Sequence, residues 1–127
     1  MDHESTDQLL TMMEARVRTY YQLVDGGDIA GLVKLFAQDA VYRRPGYPSM
    51  RGRDELERFY REERVIKGGH HTVESMVSSR RRVAVAGSFA GTLRNGQDTT
   101  LRFADFFSFG PDGTFSQRDT YFFSPLV

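Results

Sequence analysis

Residues 99–123 read TTLRFADFFSFGPDGTFSQRDTYFF, and this stretch decides the fold class. Two runs rich in aromatic and β-branched residues, 99–109 and 115–123, have the composition of β-strands. Pro111-Asp112-Gly113 between them is typical of a turn, because proline presets φ and glycine accepts a positive φ. The stretch therefore predicts an antiparallel pair of strands joined by a tight turn.

Two more predicted strands lie upstream of this pair. Residues 71–77 and 83–93 are again rich in β-branched and aromatic side chains. Asn95-Gly96 stands between 83–93 and 99–109, and this dipeptide is a strong two-residue signal for a β-hairpin. The second half of the chain is therefore predicted to form an antiparallel meander.

The first half of the chain shows helical periodicity instead. Ser5 and Gln8 have the spacing of a capping box, and apolar residues then recur at intervals of three and four until Gly26-Gly27. Asp28 is a suitable N-cap for a second, shorter helix. The apolar face of that helix comprises Ile29, Leu32, Val33 and Phe36. Two helices separated by a Gly-Gly turn are predicted to form a corner.

A short strand at 40–42 and a loop at 43–52, RRPGYPSMRG, precede the third predicted helix. That helix begins at Asp54, carries an apolar stripe that reaches Ile66, and ends at Gly68-Gly69. The predicted fold class is α+β, with three N-terminal helices packed on a mostly antiparallel sheet, in a single domain that spans residues 1–127.

Composition excludes several classes of function. The chain has 17 Lys plus Arg and 17 Asp plus Glu, so it lacks the basic excess of a nucleic-acid-binding protein. It has no cysteine and no His-x-His or His-Glu-x-x-His spacing, so no metal site is predicted. No secretory signal or membrane-length apolar run occurs, so we expect a soluble, cytoplasmic protein that binds no membrane.

Arginine dominates the positive charge, since it supplies 15 of the 17 cations. Genome composition is one explanation of this excess, and recognition of planar anions is the other.

The strand at 99–109 places an acid among aromatic residues. Alternation puts Phe103, Asp105 and Phe107 on one face, which we expect to point toward the helices. A carboxyl group buried there has to be paired, hydrogen-bonded or protonated, and such acids concentrate at functional sites. Asp105 is therefore a candidate functional residue, and a structural Asp bonded to a turn or an arginine is the alternative.

The opposite face of the same strand carries Phe106. Helices cover only one side of the predicted sheet, so the other side is expected to pack against a second copy of the chain. We therefore predict a homodimer through the sheet face. An edge cluster within a monomer is the alternative interpretation of Phe106.

Three stretches of the chain resemble bacterial ketosteroid isomerases. TYYQLVDGGDIAGLVKLFAQDAVY at 19–42 resembles the first two helices and first strand of that family. MRGRDELERFYRE at 50–62 resembles its third helix, and NGQDTTLRFADFFSFGPDGTFSQRDTYFF at 95–123 resembles its last hairpin. The chain is also similar to the wider group of nuclear-transport-factor-2-like (NTF2-like) proteins, which includes SnoaL-like polyketide cyclases and limonene epoxide hydrolase. The resemblance implies a strongly curved sheet wrapped on helices, which forms a conical pocket open at one end.

The resemblance also implies site residues. Tyr20 falls at the oxyanion-hole tyrosine of the isomerases, and Asp105 falls at the acid that their apolar site keeps neutral. Arg44, before Pro45, stands where those enzymes carry their general-base aspartate, and an arginine cannot abstract a proton at working pH. The epoxide hydrolase pattern lacks both of its acids, because their places hold Ala84 and Thr120.

A different assignment of roles follows from these departures. If Phe122 faces the pocket, Arg118 and Thr120 share its face, and Arg118 lies near Asp105. Arg118 and Arg44 then favour the ionised carboxylate. Our hypothesis is that Asp105 is the general acid or base, while Tyr20 and an arginine stabilise an enolate or alkoxide. A structural ion pair between Arg118 and Asp105 is the alternative.

Adjacent His70 and His71 point to opposite sides of a strand, so only one can face the pocket. We expect His71 to do so and to act as a proton shuttle. A surface histidine is the alternative.

The predicted function is a cofactor-independent cyclase or isomerase that acts by proton transfer on an apolar, polyketide- or steroid-like small molecule. The predicted substrate-binding wall comprises Tyr42, Phe59, Phe103, Phe107, Thr120 and Phe122. A non-catalytic ligand-binding or dimeric interaction module of the same fold is the main alternative, and an epoxide hydrolase-like enzyme is a third. A wet pocket with Tyr20 and Asp105 in reach of one ligand atom favours the enzyme. A pocket filled by side chains, or an Asp105 fully engaged by Arg118, favours the module.

Overall fold

The computed structural model describes residues 3–124, with side chains from residue 6 onward. The α-helices are α1 (His3–Asp25), α2 (Ile29–Lys34) and α3 (Gly52–Arg58), and a π-helical turn, Phe59–Glu63, continues α3. The strands are β1 (Phe36–Arg43), β2 (Met50–Arg51), β3 (Ile66–Ser79), β4 (Arg82–Leu93), β5 (Asp98–Phe109) and β6 (Phe115–Phe122).

The six strands form one curved sheet in the order β2-β1-β6-β5-β4-β3. Every neighbouring pair is antiparallel except β1 and β6, which run parallel. The predicted α+β class and mostly antiparallel sheet are confirmed. The predicted order of three helices before the sheet is slightly wrong, because α3 follows β1 and β2.

The core lies between the helices and the inner face of the sheet. In β5 every odd residue from Leu101 to Phe109 is buried, whereas Phe106 is partly exposed on the other face. Helix α1 supplies Val17, Tyr20 and Tyr21 to the same core. Alternation along β5 therefore carries Asp105 into the centre of the apolar interior, as predicted.

The second helix begins as predicted and ends earlier. The side chain of Asp28 accepts a hydrogen bond from the backbone N–H of Gly31 at 2.9 Å, which caps α2. The prediction that Phe36 belongs to this helix is wrong. Phe36 opens β1, because the backbone of Leu35 already accepts a sheet-like hydrogen bond from Phe115 at 2.8 Å. Pairing with β6 outweighs the helical spacing of the apolar residues.

The third helix also ends earlier than predicted. The backbone N–H of Arg64 donates to the carbonyl of Phe59 at 2.8 Å, and the chain then turns into β3. Ile66 and the Gly68-Gly69 pair consequently lie in β3. The glycines serve a different purpose from the predicted helix stop. A Cβ at Gly69 would lie 2.5 Å from the ring of Phe89, so the glycine makes room for that ring.

Other boundaries differ in the same way. Helix α1 begins at His3, two residues before the predicted cap Ser5, whose side chain lies outside the described residues. The strand predicted at 40–42 extends over Phe36–Arg43, and the predicted loop contains the two-residue β2 that pairs with it. Within the part of the chain described, none of the helices is long and apolar enough to span a membrane.

Candidate functional site

A small internal cavity lies between α1 and the inner face of the sheet. Its volume is about 20 Å³, which is space for about one water. Its wall combines aromatic and aliphatic side chains with several buried polar groups. The polar wall residues are Tyr20, Arg44, Arg64, His71, Asp105, Arg118 and Thr120, and the apolar ones are Ile66, Phe89, Leu101, Phe103 and Phe122.

Asp105 is fully buried and accepts three hydrogen bonds from side chains. Arg118 Nη2 donates to Oδ2 at 2.8 Å, Tyr21 Oη donates to the same oxygen at 2.5 Å, and Thr120 Oγ1 donates to Oδ1. Burial by itself would raise the pKa of Asp105, but the guanidinium and the hydrogen bonds outweigh it and lower the pKa below its ordinary range. The carboxyl group is therefore ionised and engaged at both oxygens.

Arg118 links Asp105 to a pair of buried tyrosines. Its Nη1 donates to Tyr20 Oη at 2.5 Å and to Tyr60 Oη at 3.1 Å, while the two hydroxyls lie 2.5 Å apart. Its guanidinium also stacks on the rings of Tyr20 and Tyr42, at 4.5 and 4.6 Å from their centroids. Burial strongly raises the pKa of Tyr20, so its hydroxyl stays protonated. The tyrosine that donates to Asp105 is Tyr21, whereas Tyr20 contacts Arg118 and Tyr60.

His71 forms a dyad with Asp25, which ends α1. Asp25 accepts from the His71 backbone N–H at 2.8 Å and contacts ring Nδ1 at 2.5 Å. A carboxylate can only accept, so the ring proton lies on Nδ1 and leaves the lone pair on Nε2. Burial lowers the pKa of His71, and the hydrogen bond that its ring donates to Asp25 only partly offsets this. The side chain of His71 is 10% exposed, whereas that of His70 is 78% exposed.

Two further arginines line the cavity. Arg44 is buried, with Nη1 3.3 Å from Tyr42 Oη and the guanidinium stacked over Tyr47, Phe59 and Phe122. Arg64 follows the π-helical turn and is only 9% exposed. Its guanidinium carbon lies 5.9 Å from the Tyr60 ring centroid.

A wider surface cleft lies next to the cavity. It has a volume of about 330 Å³ and is lined in part by Pro45, Tyr47 and Tyr121. Arg44 and Thr120 belong to the walls of both spaces. These two side chains therefore stand between the cleft and the cavity.

The structure brings eight of the eleven sequence-predicted site residues to the cavity wall. These are Tyr20, Arg44, His71, Phe103, Asp105, Arg118, Thr120 and Phe122. Tyr42, Phe59 and Phe107 do not line it. Tyr42 lies behind Arg118, Phe59 lies behind Arg44, and Phe107 packs on Tyr20, Tyr21 and Phe115 in the core. The side chains of Arg118 and Arg44 cover the rings of Tyr42 and Phe59, which were predicted to face the pocket.

Four residues around the cavity were not predicted from the sequence: Asp25, Tyr21, Tyr60 and Arg64. One signal was available for Asp25: a carboxylate at the C-terminal end of a helix faces the negative end of the helix dipole and therefore needs a partner. The other three follow only from the packing of α1 and the π-helical turn against the sheet.

Residues 17–117 match a profile described as a SnoaL-like domain. The chain belongs to the SnoaL-like domain family. The predicted family membership is therefore confirmed.

Solved structures share the fold of this SnoaL-like chain. An NTF2-like protein of unknown function from Burkholderia pseudomallei K96243 has a TM-score of 0.80 and 23% identity, over 87% of this chain and 90% of that one. A hypothetical protein with a ketosteroid isomerase-like fold from Catenulispora acidiphila, in complex with trimethylamine, has a TM-score of 0.74 and 17% identity, over 84% and 83% of the two chains. SalBIII, an epoxide hydrolase/cyclase-like enzyme in pyran ring formation in polyether salinomycin, has a TM-score of 0.77 and 18% identity, over 96% and 94%. Identities this low establish the fold alone, and they confirm the predicted NTF2-like architecture.

Proposed function

We propose that this SnoaL-like chain is a cofactor-independent enzyme that moves a proton on a small carbonyl compound, as an isomerase or a cyclase. The observation that supports this most directly is the His71–Asp25 dyad, whose histidine lines a cavity that is also lined by Arg118 and Tyr20. A neutral imidazole oriented by a carboxylate is a suitable general base near neutral pH. The proposal therefore assigns proton transfer to His71.

The proposed reaction begins at a carbon next to the substrate carbonyl. His71 Nε2 takes a proton from that carbon, the C–H electron pair forms a C=C bond, and the carbonyl π pair moves onto oxygen to give an enolate. In an isomerase, the substrate is a β,γ-unsaturated carbonyl compound and the enolate is a dienolate. The imidazolium returns the proton to its γ-carbon, the double bond shifts into conjugation, and the carbonyl re-forms. In a cyclase, the enolate carbon bonds to a second carbonyl carbon, whose oxygen takes the proton.

Arg118 and Tyr20 are suited to stabilise the enolate oxygen. Both are buried, where a charge-assisted hydrogen bond is stronger than in water. If Tyr60 donates to Tyr20, the proton of the Tyr20 hydroxyl is left to donate into the cavity. Asp105, the acid or base of our first hypothesis, serves in this proposal as the counter-ion that orients Arg118. The three side-chain hydrogen bonds that Asp105 accepts support that role.

Access to the base requires a side-chain movement. A steroid- or polyketide-like molecule needs a pocket of several hundred Å³, and the cavity has about 20 Å³. The adjacent cleft, at about 330 Å³, has a volume of that order. We propose that substrate enters from the cleft when Arg44 turns away from Phe122.

Proton exchange is the direct test of this function. The full chain would be incubated in D₂O with a panel of small ketones and 3-oxo esters, and loss of the α-proton signals followed by ¹H NMR. We expect catalysed exchange of at least one compound, and a loss of about 100-fold or more in His71→Gln, which is the range expected for a general base. His70→Gln is the matched control and should retain the rate, because the His70 side chain is 78% exposed, does not line the cavity, and loses only a 3.5 Å contact with Asp25. Absence of exchange across the panel, or an equal rate in His71→Gln, contradicts the proposal.

A non-catalytic ligand-binding module remains the second candidate. The small cavity volume and the complete engagement of Asp105 favour it. It predicts ligand binding without proton exchange, and the same experiment therefore separates the two functions.

A further inference from the structure

The wall of the cavity carries more positive than negative charge. Arg44, Arg64 and Arg118 line it, against Asp105 as the ionised acid. Burial of a guanidinium is costly unless a counter-ion or hydrogen bonds compensate it. The charge of Arg118 is compensated by Asp105 at 2.8 Å. The remaining question is what compensates Arg64.

Arg64 makes no ion pair with any residue that the structure describes. It is only 9% exposed, and its Nε has no hydrogen-bond partner within that part of the chain. Burial lowers the pKa of Arg64, yet a guanidinium stays protonated in proteins. As far as the described residues go, Arg64 is therefore a buried cation without a counter-ion at the cavity.

Arg118 adds a second unused donor. Its two terminal nitrogens bond Asp105 and the tyrosines, but its buried Nε also lacks a hydrogen-bond partner among the described residues. A planar guanidinium edge matches the two oxygens of a carboxylate. Aromatic wall residues next to these donors, Phe89, Phe103 and Phe122, suit a short carbon chain better than a fully solvated inorganic ion.

We propose that the cavity, once Arg44 has turned away and joined it to the adjacent cleft, takes a small organic carboxylate, and that Arg64 is the counter-ion of its carboxylate group. This inference rests on the proposed function only in placing the substrate in the same cavity. It narrows the substrate class from carbonyl compounds in general to oxo acids, whose carboxylate binds Arg64 while the carbonyl lies toward Arg118 and Tyr20. Arginine at this position then serves recognition of an anion.

The binding test compares a carboxylate with its uncharged isostere. Sodium butanoate, sodium 2-oxobutanoate and butanamide would each be titrated into the full chain, and followed by isothermal titration calorimetry and by the shift in melting temperature. We expect both carboxylates to bind at least 10-fold more tightly than butanamide. Equal affinity for butanamide, or equal affinity for inorganic phosphate, overturns the assignment.

Arg64→Gln tests the residue itself. We expect it to weaken butanoate binding at least 10-fold and, since it removes an uncompensated buried charge, to leave the melting temperature of the free protein unchanged or higher. Arg61→Gln is the matched control on the same turn, because Arg61 is exposed and pairs with Glu57. It should not alter binding. If Arg64→Gln fails to fold, Arg64→Lys takes its place and should still weaken binding, because it lacks the planar edge. Unchanged affinity in the variant overturns the proposal.

The two proposals fail in different ways. Butanoate binding that persists in His71→Gln, with no exchange of any compound, would refute the proton-transfer function and leave carboxylate recognition standing. Exchange of neutral ketones without carboxylate binding would refute the carboxylate site and leave the function standing.

Discussion

At the scale of single residues, Asp105 is the side chain whose loss we expect to destabilise the buried interior. Asp105→Asn would leave Arg118 as a buried cation without its counter-ion. Breaking a buried pair from one side costs about 3–5 kcal/mol, and we expect a loss of this size in the free energy of unfolding, measured by urea denaturation. Glu57→Gln is the control, because its partner Arg61 is exposed and such pairs contribute about 0.3–0.5 kcal/mol. Similar losses in both variants would show that the pair around Asp105 contributes no more than a surface pair.

His71 makes the proposed activity dependent on pH. Its folded-state pKa lies below the ordinary histidine value of about 6.5, because burial and the charges of Arg64 and Arg118 outweigh the opposing effect of Asp25. The unfolded state therefore takes up the proton first, so stability is present above pH of about 6.5 and is lost as the pH falls toward the folded pKa. We expect the exchange rate to fall as the pH drops through the folded-state pKa, because His71 of the folded protein is then protonated and cannot act as a base.

The variant Asp25→Asn tests whether Asp25 sets the pH dependence of His71. It removes a carboxylate that raises the pKa of His71, so the inflection of the rate should move to lower pH. The His71 ring signals in an NMR pH titration provide the measurement. An inflection that moves to higher pH, or stays in place, would contradict the proposed dyad.

At the scale of elements, two adjacent glycines in β3 provide a matched pair. A Cβ at Gly69 would lie 2.5 Å from both the Phe89 ring and the backbone oxygen of Ala90, whereas a Cβ at Gly68 meets nothing within 4 Å. Overpacking of this kind costs about 1–3 kcal/mol. We expect Gly69→Ala to lose that amount in thermal denaturation followed by circular dichroism, and Gly68→Ala to be nearly neutral. Equal losses would mean that both glycines act only through backbone freedom.

The same glycines show what local patterns can and cannot predict. Alternation along 99–109 placed Asp105 inside and Phe106 outside, because a strand has a strict period of two. The glycine pair was interpreted as a helix stop, since nothing local reveals that Phe89, 20 residues later, covers Gly69. His71 was found from its residue type, but its partner Asp25 comes from the far end of another element. Contacts between residues far apart in sequence therefore determine the role of Gly69 and the partner of His71, and local patterns do not reveal such contacts.

At the scale of the whole molecule, the outer face of the sheet is apolar at its centre. Phe106 is 38% exposed and its ring contacts that of Tyr121 edge-on, with centroids 5.9 Å apart. Ala84 stands opposite Phe106 on β4 and Ala104 stands opposite Tyr121 on β5, so small side chains flank the aromatic pair on one side. Asp119 stands opposite Phe106 on β6, where its charge is paired with that of Arg43. We propose that a second copy of the chain covers this face in a homodimer.

Light scattering after size exclusion tests the dimer directly. We expect the wild-type chain to have twice its monomer mass of 14.5 kDa at micromolar concentration, and Phe106→Asp to be monomeric, since a carboxylate buried at the interface without a partner is costly. Val65→Asp is the control, because Val65 is also 38% exposed but lies outside the sheet. The cavity lies on the opposite side of the sheet, so the monomeric variant should retain carboxylate binding. A monomeric wild-type protein, or a Phe106→Asp dimer, would mean that the exposed aromatic pair belongs to the monomer surface.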